Sequence, residues 1–397
     1  MPPVDPAFRH WSDTARRTPI ADVAAGRGLR LRGGIERVGP CPDCGGRDRF
    51  GINTRKNVFG CRQCGKAGGP IDLVMMLDGL TFVQACERLT GQPPPDCKES
   101  GLPPERIAEI EAAWALRRSQ SDAAEARFVE NERQKMRRQW ERAKPAPYSL
   151  VEDYLRLRAV ALPPGATLRF MPDWTLFHDH NDAANKAMPA ALHRGPCMFA
   201  AICGPDGHFS ALHMTWLDLS RPDGKAQVPD PKTGEFVTAK KVRGVKKGGR
   251  IELVRPPHPR RLVIGEGIET TLSVRQALLE TGEDLSRVAF WCAIDLQNLG
   301  GMHLGKVVHP TMRRIDSLDR SYPLNVPGPV PDLDAPAIPI PDSVEEVITL
   351  GDGDSDPFTA RQAHARAATR WARPGRRVIP LFSPPGTDFN SFLRGQS

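Results

Sequence analysis

The chain has 397 residues, enough for two or three domains, and is 40% hydrophobic with a formal charge of +8. Its 36 glycines and 39 prolines cluster rather than repeat, which excludes a collagen-like chain. No 18-residue apolar run or apolar leader occurs, so no membrane partner is expected and the expected compartment is the cytoplasm, while the basic excess favours an anionic partner, nucleic acid first.

Four regions are predicted: 1–95, 96–147, 148–260 and 261–397. The first holds four of the nine cysteines as C-x2-C-x16-C-x2-C, at Cys41, Cys44, Cys61 and Cys64. Paired CxxC knuckles in a chain with an odd cysteine count signal metal in a reducing compartment, not a disulfide framework. Four thiolates fill a zinc tetrahedron and leave no open position, so the expected zinc is structural. Between the knuckles, Phe50, Ile52, Val58 and Phe59 predict a hairpin. Its Arg47, Arg49, Arg55 and Lys56 either face phosphates or form a solvated face. Two helices are expected after the second knuckle, with Met75 and Met76 in the core.

Residues 100–145 are rich in Ala, Arg and Glu, with Pro103 and Pro104 before and Pro145 and Pro147 after. One or two exposed helices are predicted, serving as a docking element or as a linker. Region 148–260 predicts short strands, turns and basic stretches. Lys240, Lys241, Arg243, Lys246, Lys247 and Arg250 make up its densest charge run. This run either holds template or nucleotide phosphates or is a solvated surface, and its glycines suggest irregular backbone.

The last region alternates strand-like and helix-like segments, which predicts an α/β domain with a parallel-sheet core. "RRLVIGEGIETTLSVRQALLETG" reads strand, turn, helix; "RVAFWCAIDL", "VEEVITLGDGDSD" and "RVIPLFSPP" each contain a strand. The proline-rich stretch 321–343 suggests an irregular surface excursion. A carboxylate at the end of a parallel strand projects into a cleft. Glu266 follows one strand, Asp352, Asp354 and Asp356 another, and Asp388 a third, with Asn390 two residues on. Clustered hard oxygen ligands suit Mg²⁺ or Mn²⁺. The alternative is an acidic loop with solvent contacts. A calcium loop matches poorly, because its twelfth position, counted from Asp352, is Ala363 rather than glutamate.

These motifs resemble the DnaG-type primases, which join a zinc finger to a Toprim domain, in the branch encoded by phages and mobile elements. "CPDCGG", "FGINTRKNVFGCRQCGKAGGPIDLVMML" and "TFVQACERLTG" follow their zinc-binding domain. "GEGIET" resembles the Toprim EG motif with Glu266 as catalytic glutamate; Asp352 and Asp354 match its DxD motif, and Asp388 and Asn390 its third acidic motif. Thr270 stands where cellular primases carry an aspartate. The resemblance implies a Toprim catalytic domain over 261–397, preceded by the basic part of a primase core. It implies synthesis of short RNA primers on single-stranded DNA from ribonucleoside triphosphates, with Mg²⁺ or Mn²⁺ held by Glu266, Asp352, Asp354, Asp388 and Asn390; Asp356 lies outside the DxD pair and is a metal candidate by its place in the acidic cluster. Because no GxxxxGK[ST] motif is present, a replicative helicase would be a separate partner. Two other readings stay open: a Toprim nuclease using the same acids, and a non-catalytic DNA-binding replication or regulatory factor, which Thr270 keeps open. A topoisomerase is disfavoured by length and by the choice of only Tyr148, Tyr154 and Tyr322 as nucleophile.

Overall fold

The computed structural model describes residues 5–95, 103–177, 191–231, 234–315 and 320–395. Among them the chain forms two compact units, one ending at Phe128 and one beginning at Val129. The predicted start of the helical segment at 100 lies outside the described residues. No described helix is long and apolar enough to cross a membrane.

In the first unit, helices α1 (Pro6–Arg17) and α2 (Ile20–Gly26) precede a five-stranded antiparallel meander. Its strands are β1 (Arg32–Gly33), β2 (Glu36–Cys41), β3 (Gly45–Asn53), β4 (Val58–Cys61) and β5 (Ala67–Gly68). The hairpin predicted between the knuckles is β3–β4, and Phe50, Ile52 and Phe59 are buried in it. The two predicted helices are α3 (Pro70–Asp78) and α4 (Phe82–Thr90). Thr81 and Gln84 form a reciprocal capping box at the start of α4. Helix α5 (Pro104–Arg142) is one continuous helix through residues of both units. Its Trp114 Nε1 donates to the buried Asp78 at 2.8 Å, and Arg27 pairs with the same carboxylate at 2.8 Å.

The second unit begins with the end of α5, then β6 (Lys144–Pro145) and α6 (Leu150–Leu157). Strands β7 (Leu168–Phe177), β8 (Ala191–Cys203) and β9 (Phe209–Trp216) are longer than the short strands expected. The small ribbon β10 (Val228–Pro229) with β11 (Phe236–Val237) follows, and then β12 (Lys240–Gly244). The antiparallel sheet runs β12-β9-β8-β7-β6. Residues 240–244 are therefore a strand, not the irregular backbone expected: Lys240 to Gly244 pair residue by residue with Thr215 to Ala211. Side chains alternate across a strand, and here both faces are buried. Cys197, Phe199, Leu212, Met214 and Trp216 pack with Met136 of α5, while Met198, Ala200, Ile202 and Ala211 face the opposite core.

That opposite core also includes the second sheet, so residues on both sides of 260 share one apolar cluster. The sheet contains β13 (Ile251–Val254), β14 (Arg261–Gly265) and, after α7 (Ile268–Glu280), β15 (Val288–Cys292). Next come α8 (Leu296–Gly300), the ribbon of β16 (Lys306–Ile315) and β17 (Ser321–Pro327), then β18 (Glu346–Gly351), α9 (Pro357–Trp371), β19 (Arg377–Phe382) and α10 (Phe389–Leu393). The strand order is β13-β15-β14-β18-β19. β15, β14, β18 and β19 run parallel, and β13 is the antiparallel edge. Val263 and Phe290 share a cluster with Ile268 and Leu272 of α7; Leu262 and Ile264 share another with Ala367 and Trp371 of α9. Helices thus cover both faces, which is why the central strands read as continuous apolar runs.

Residues 321–327 are strand β17, where an irregular excursion was expected. Pro323 and Pro327 are tolerated because a two-stranded ribbon consists only of edges, where a missing N–H is harmless.

Asn57 turns the β3–β4 hairpin at φ 57° and ties it to the α1–α2 corner: Oδ1 accepts from Ile20 N at 2.8 Å, and Nδ2 donates to the Arg16 and Thr18 carbonyls at 3.0 Å. Asn57→Gly should lose these bonds but keep the left-handed turn, whereas Asn57→Ala should lose both. The expected melting order is wild type, then Gly, then Ala, with about 1 kcal/mol between the two variants. Equal stability of Gly and Ala in thermal unfolding would refute the turn argument.

Candidate metal centre and active site

The four knuckle cysteines form the one set of three or more His, Cys, Asp or Glu side chains, among the described residues, whose ligand atoms lie within 4.8 Å of one another. Cys41 Sγ is 3.9 Å from Cys64 Sγ, and Cys44 Sγ is 3.6 Å from Cys61 Sγ. A tetrahedron of Zn–S bonds of about 2.3 Å spaces its sulfurs by roughly 3.8 Å. The donor set therefore fits zinc in both chemistry and size. Backbone N–H groups of Cys64 and Gln63 pull the Cys61 thiol down to about 6, while burial and the neighbouring sulfurs push Cys44 up to about 12, so the four sulfurs share their protons unevenly in the absence of a metal.

The acids lie at the C-terminal ends of the parallel strands. Glu266 follows Gly265 of β14, and Asp352 follows Gly351 of the adjacent β18; Gly265 is in register with Leu350. Strand order changes direction here, since β15 lies on one side of β14 and β18 on the other. Burial, then the charges of Asp352, Asp295 and Asp354, push Glu266 up to about 7. Burial and the charge of Asp388 raise Asp352 to about 6, against the pull of the Thr270 hydroxyl. Thr270 Oγ1 donates to Asp352 at 3.2 Å and orients that carboxylate.

Two glycines let the loops close. A Cβ on Gly353 would lie 2.2 Å from the Pro384 carbonyl oxygen, and Gly353 N donates to Ser383 Oγ at 2.8 Å. Gly386 N in turn donates to the Gly353 carbonyl at 2.9 Å. The loop carrying Asp352 and Asp354 is thereby fixed to the loop leading to Asp388.

The other candidate acids carry structural contacts. Asp356 caps α9, accepting from Thr359 N at 2.7 Å, and faces His309 Nε2 at 3.1 Å. Asp388 caps α10 through Ser391 N at 2.5 Å. Asn390 is buried, and its Nδ2 donates to the Arg158 carbonyl at 2.7 Å and to Ser273 Oγ at 2.9 Å. Asp354 is exposed. No three of these acids bring ligand oxygens within 4.8 Å of one another among the described residues. Glu266 Oε1 is nevertheless buried without a hydrogen-bond partner. An unsatisfied hard oxygen beside the half-buried Asp352 fits a divalent cation.

Five of the six basic candidates meet partners within the chain. Lys240 Nζ lies 3.4 Å from Glu269 Oε2, Arg243 pairs with Glu132, and Lys246 pairs with Asp295. Lys241 Nζ donates to the Phe177 carbonyl at 2.9 Å. Lys247 is exposed. Arg250 is buried, paired with Glu252 at 2.7 Å and stacked on Trp291 with its guanidinium 4.5 Å from the ring centroid.

Sequence reasoning missed Glu269, whose carboxylate is buried among Lys240, Lys225 at 3.3 Å and the Tyr154 hydroxyl. Burial would raise it, but the two ammonium groups overcome burial and hold Glu269 ionised well below the usual carboxylate range. It also missed Asp295, which caps α8 and raises Glu266. A signal for Asp295 was present: "FWCAID" has the same strand-then-acid pattern as the segments ending at Glu266 and Asp352.

Residues 130–253 match the family described as the domain of unknown function DUF7146, about a third of the chain. No curated protein matches. The solved structures it is similar to include the Aquifex aeolicus primase zinc-binding and RNA polymerase domains, at 14% identity and TM-score 0.33, covering 97% of this chain and 82% of that one. The primase fragment of the bacteriophage T7 primase-helicase is 13% identical with TM-score 0.30, covering 91% and 95%. A DnaG primase catalytic domain bound to single-stranded DNA is 12% identical with TM-score 0.34, covering 69% and 77%.

Two outcomes are expected. Cys61→Ala should abolish stoichiometric zinc by metal analysis of the purified chain; retained zinc would break the ligand set. Glu266 and Asp352 are raised from 4.5 and 3.8, so the folded state keeps protons that the unfolded chain has released. Their stabilising effect is full below the unfolded values and is lost as pH rises to about 6 and about 7. In chelator at pH 8, Glu266→Gln should therefore be more stable than wild type, by roughly 3 kcal/mol, with the gap closing near pH 4. A variant that melts lower at pH 8 would contradict this.

Proposed function

We propose that this protein is a DNA primase: a divalent-metal-dependent nucleotidyltransferase that makes short RNA primers on single-stranded DNA for a phage or mobile element. The observation that carries the reading is the pair Glu266 and Asp352 at the tips of adjacent parallel strands, with Asp354 beyond, in a chain that also presents a four-thiol zinc site. Residues 261–397 would be its Toprim-type catalytic domain, with 148–260 as the basic part of the core. The zinc module would engage the template. A separate helicase would supply unwound DNA.

Glu266, Asp352 and Asp354 would hold the divalent cations, with Asp388 nearby. Those cations supply charge neutralisation for the triphosphate. Glu266 would either orient a cation or, where it is not a ligand, take the proton of the primer 3′-hydroxyl. The 3′-oxygen then bonds to the α-phosphorus, the bond from that phosphorus to the bridging oxygen breaks, and pyrophosphate leaves. Thr270 keeps Asp352 oriented throughout.

The test is a gel assay with purified full chain, unprimed single-stranded DNA, four labelled ribonucleotides and Mg²⁺ or Mn²⁺. Short products should appear and should drop by at least about a hundredfold in the Asp352→Ala/Asp354→Ala variant, the scale of losing a principal electrostatic contribution. Template degradation without new products would replace the primase with a nuclease, and neither activity would favour a DNA-binding factor.

A further inference from the structure

The ribbon β16–β17 is rooted beside the acidic loop. Gly328 N donates to the Gly305 carbonyl at 2.9 Å and closes its base. Arg366 of α9 holds that base, donating to the Pro327 carbonyl at 3.0 Å and to the Gly328 carbonyl at 2.6 Å. Further out, the buried His309 of β16 lies edge-on to Phe358 of α9, with 5.0 Å between ring centroids. Its Nδ1 accepts from Met312 N at 2.8 Å, so the ring proton is on Nε2, which donates to Asp356 at 3.1 Å. Asp356 follows Asp352 and Asp354 in one loop. A single imidazole therefore shapes the register break between Val308 and Arg313 and ties the ribbon to the loop of candidate cation ligands.

Beyond His309 the ribbon is uncovered. Arg313, Arg314 and Ile315 pair with Pro323, Tyr322 and Ser321, and all six are exposed, Ile315 at 67%. Side chains alternate across a strand, so consecutive exposed residues mean that both faces are open. One face carries Arg314 with its cross-strand partner Tyr322, and the Arg320 guanidinium lies 5.8 Å from the Tyr322 ring. Over 306–327 the sequence holds four Lys or Arg and two Asp; both aspartates, Asp316 and Asp319, lie outside the described residues. Arginine together with exposed Met312, Ile315 and Pro323 on an arm is the composition of elements that enter nucleic-acid grooves. Pairing with a strand of another protein is disfavoured, because Pro310 in β16 and Pro323 in β17 each remove an N–H.

We propose that the outer half of β16–β17 is an arm that holds the primer–template hybrid in its minor groove as it leaves the acids, with Arg314 and Arg320 on backbone phosphates and Tyr322 against the sugars between them. This rests on the primase reading, which supplies the hybrid. Groove dimensions select the hybrid over a DNA duplex. Two strands about 4.8 Å apart, with their side chains, are wider than the roughly 6 Å minor groove of B-DNA. They fit the wide, shallow minor groove of an A-form helix, the geometry of an RNA–DNA hybrid. From His309 to Ile315 the strand spans up to roughly 20 Å, or about six nucleotides of duplex. The arm therefore grips a primer only after its first few nucleotides have been joined.

The experiment is fluorescence anisotropy of the full chain in Mg²⁺ without nucleotides. Its labelled probes are a short RNA–DNA hybrid, the DNA duplex of the same sequence, and the single DNA strand. Arg314→Ala/Arg320→Ala should weaken hybrid binding at least about tenfold and lower the slope of log affinity against log salt by about two, one for each phosphate contact. Tyr322→Ala should weaken it about threefold with the slope unmoved. Single-strand affinity should stay within about twofold. In primer synthesis, the double arginine variant should release shorter products than wild type. Thermal unfolding checks the fold; if the alanine pair is unfolded, Arg314→Gln/Arg320→Gln decides. No hybrid binding by wild type, unchanged hybrid affinity in the variant, or an equal loss on the DNA duplex or the single strand overturns the proposal. So does a dimer in sedimentation that Ile315→Ser dissolves, which would make the ribbon a contact between copies. Primers still made by a variant with normal hybrid affinity remove the arm and leave the primase. Hybrid binding that needs both arginines in a chain that makes no primers supports the arm and removes the primase.

Discussion

Carboxylates placed side by side at the ends of neighbouring parallel strands repel one another, and partial burial makes the repulsion stronger. Much of the second unit is arranged around that constraint. Glu266 and Asp352 are both pushed toward neutrality by burial and by neighbouring acids. The surroundings do little to relieve them: Asp352 accepts a hydroxyl from Thr270, and Glu266 leaves one oxygen unpaired. A fold that only needed stability would fill these positions with polar uncharged residues. Perturbed carboxylates of this kind, with a buried oxygen left unpaired, mark a candidate functional site.

The contrast with Glu269 sharpens the point. It lies three residues from Glu266 on the same segment and is more deeply buried, yet it stays ionised because Lys240 and Lys225 neutralise it. One motif, "GEGIET", thus holds a carboxylate satisfied by the protein and another that is not. The satisfied one joins α7 to the antiparallel sheet through Lys240 of β12 and to α6 through Tyr154. The two sheets are consequently bonded by charge as well as by their shared apolar core.

Much of this was legible in the sequence because it is local. The cysteine spacing needs only two tight turns, and the parallel strands announce themselves as apolar runs ending in an acid. What was not legible depends on distant partners. Lys240 looks like one member of a surface charge run until Glu269, 29 residues away, is brought beneath it. Asn298 of α8 gives no signal, since the Gly248 and Gly249 peptides that its amide bonds lie about 50 residues earlier. β17 was obscured by prolines that are harmful within a sheet and harmless on a ribbon. Asp356 looked like its acidic neighbours, but the proline after it starts a helix, and the carboxylate caps that helix.

The pairing of β14 with β18 has a consequence for how the chain is made. The two strands lie side by side, yet Arg261 and its partner Glu346 are 85 residues apart in sequence. Closing so long a loop precedes any gain from the contact, and parallel pairing of this kind forms slowly. During synthesis the first half of the acidic pair exists for several seconds before the second half has been polymerised. A nascent chain ending anywhere before β18 carries Glu266 but not Asp352, so it is spared their mutual repulsion. The emerging strand β14, apolar on both faces, then has an unpaired edge that invites other chains. The interval between these two strands is where chaperones would most influence the yield of folded protein.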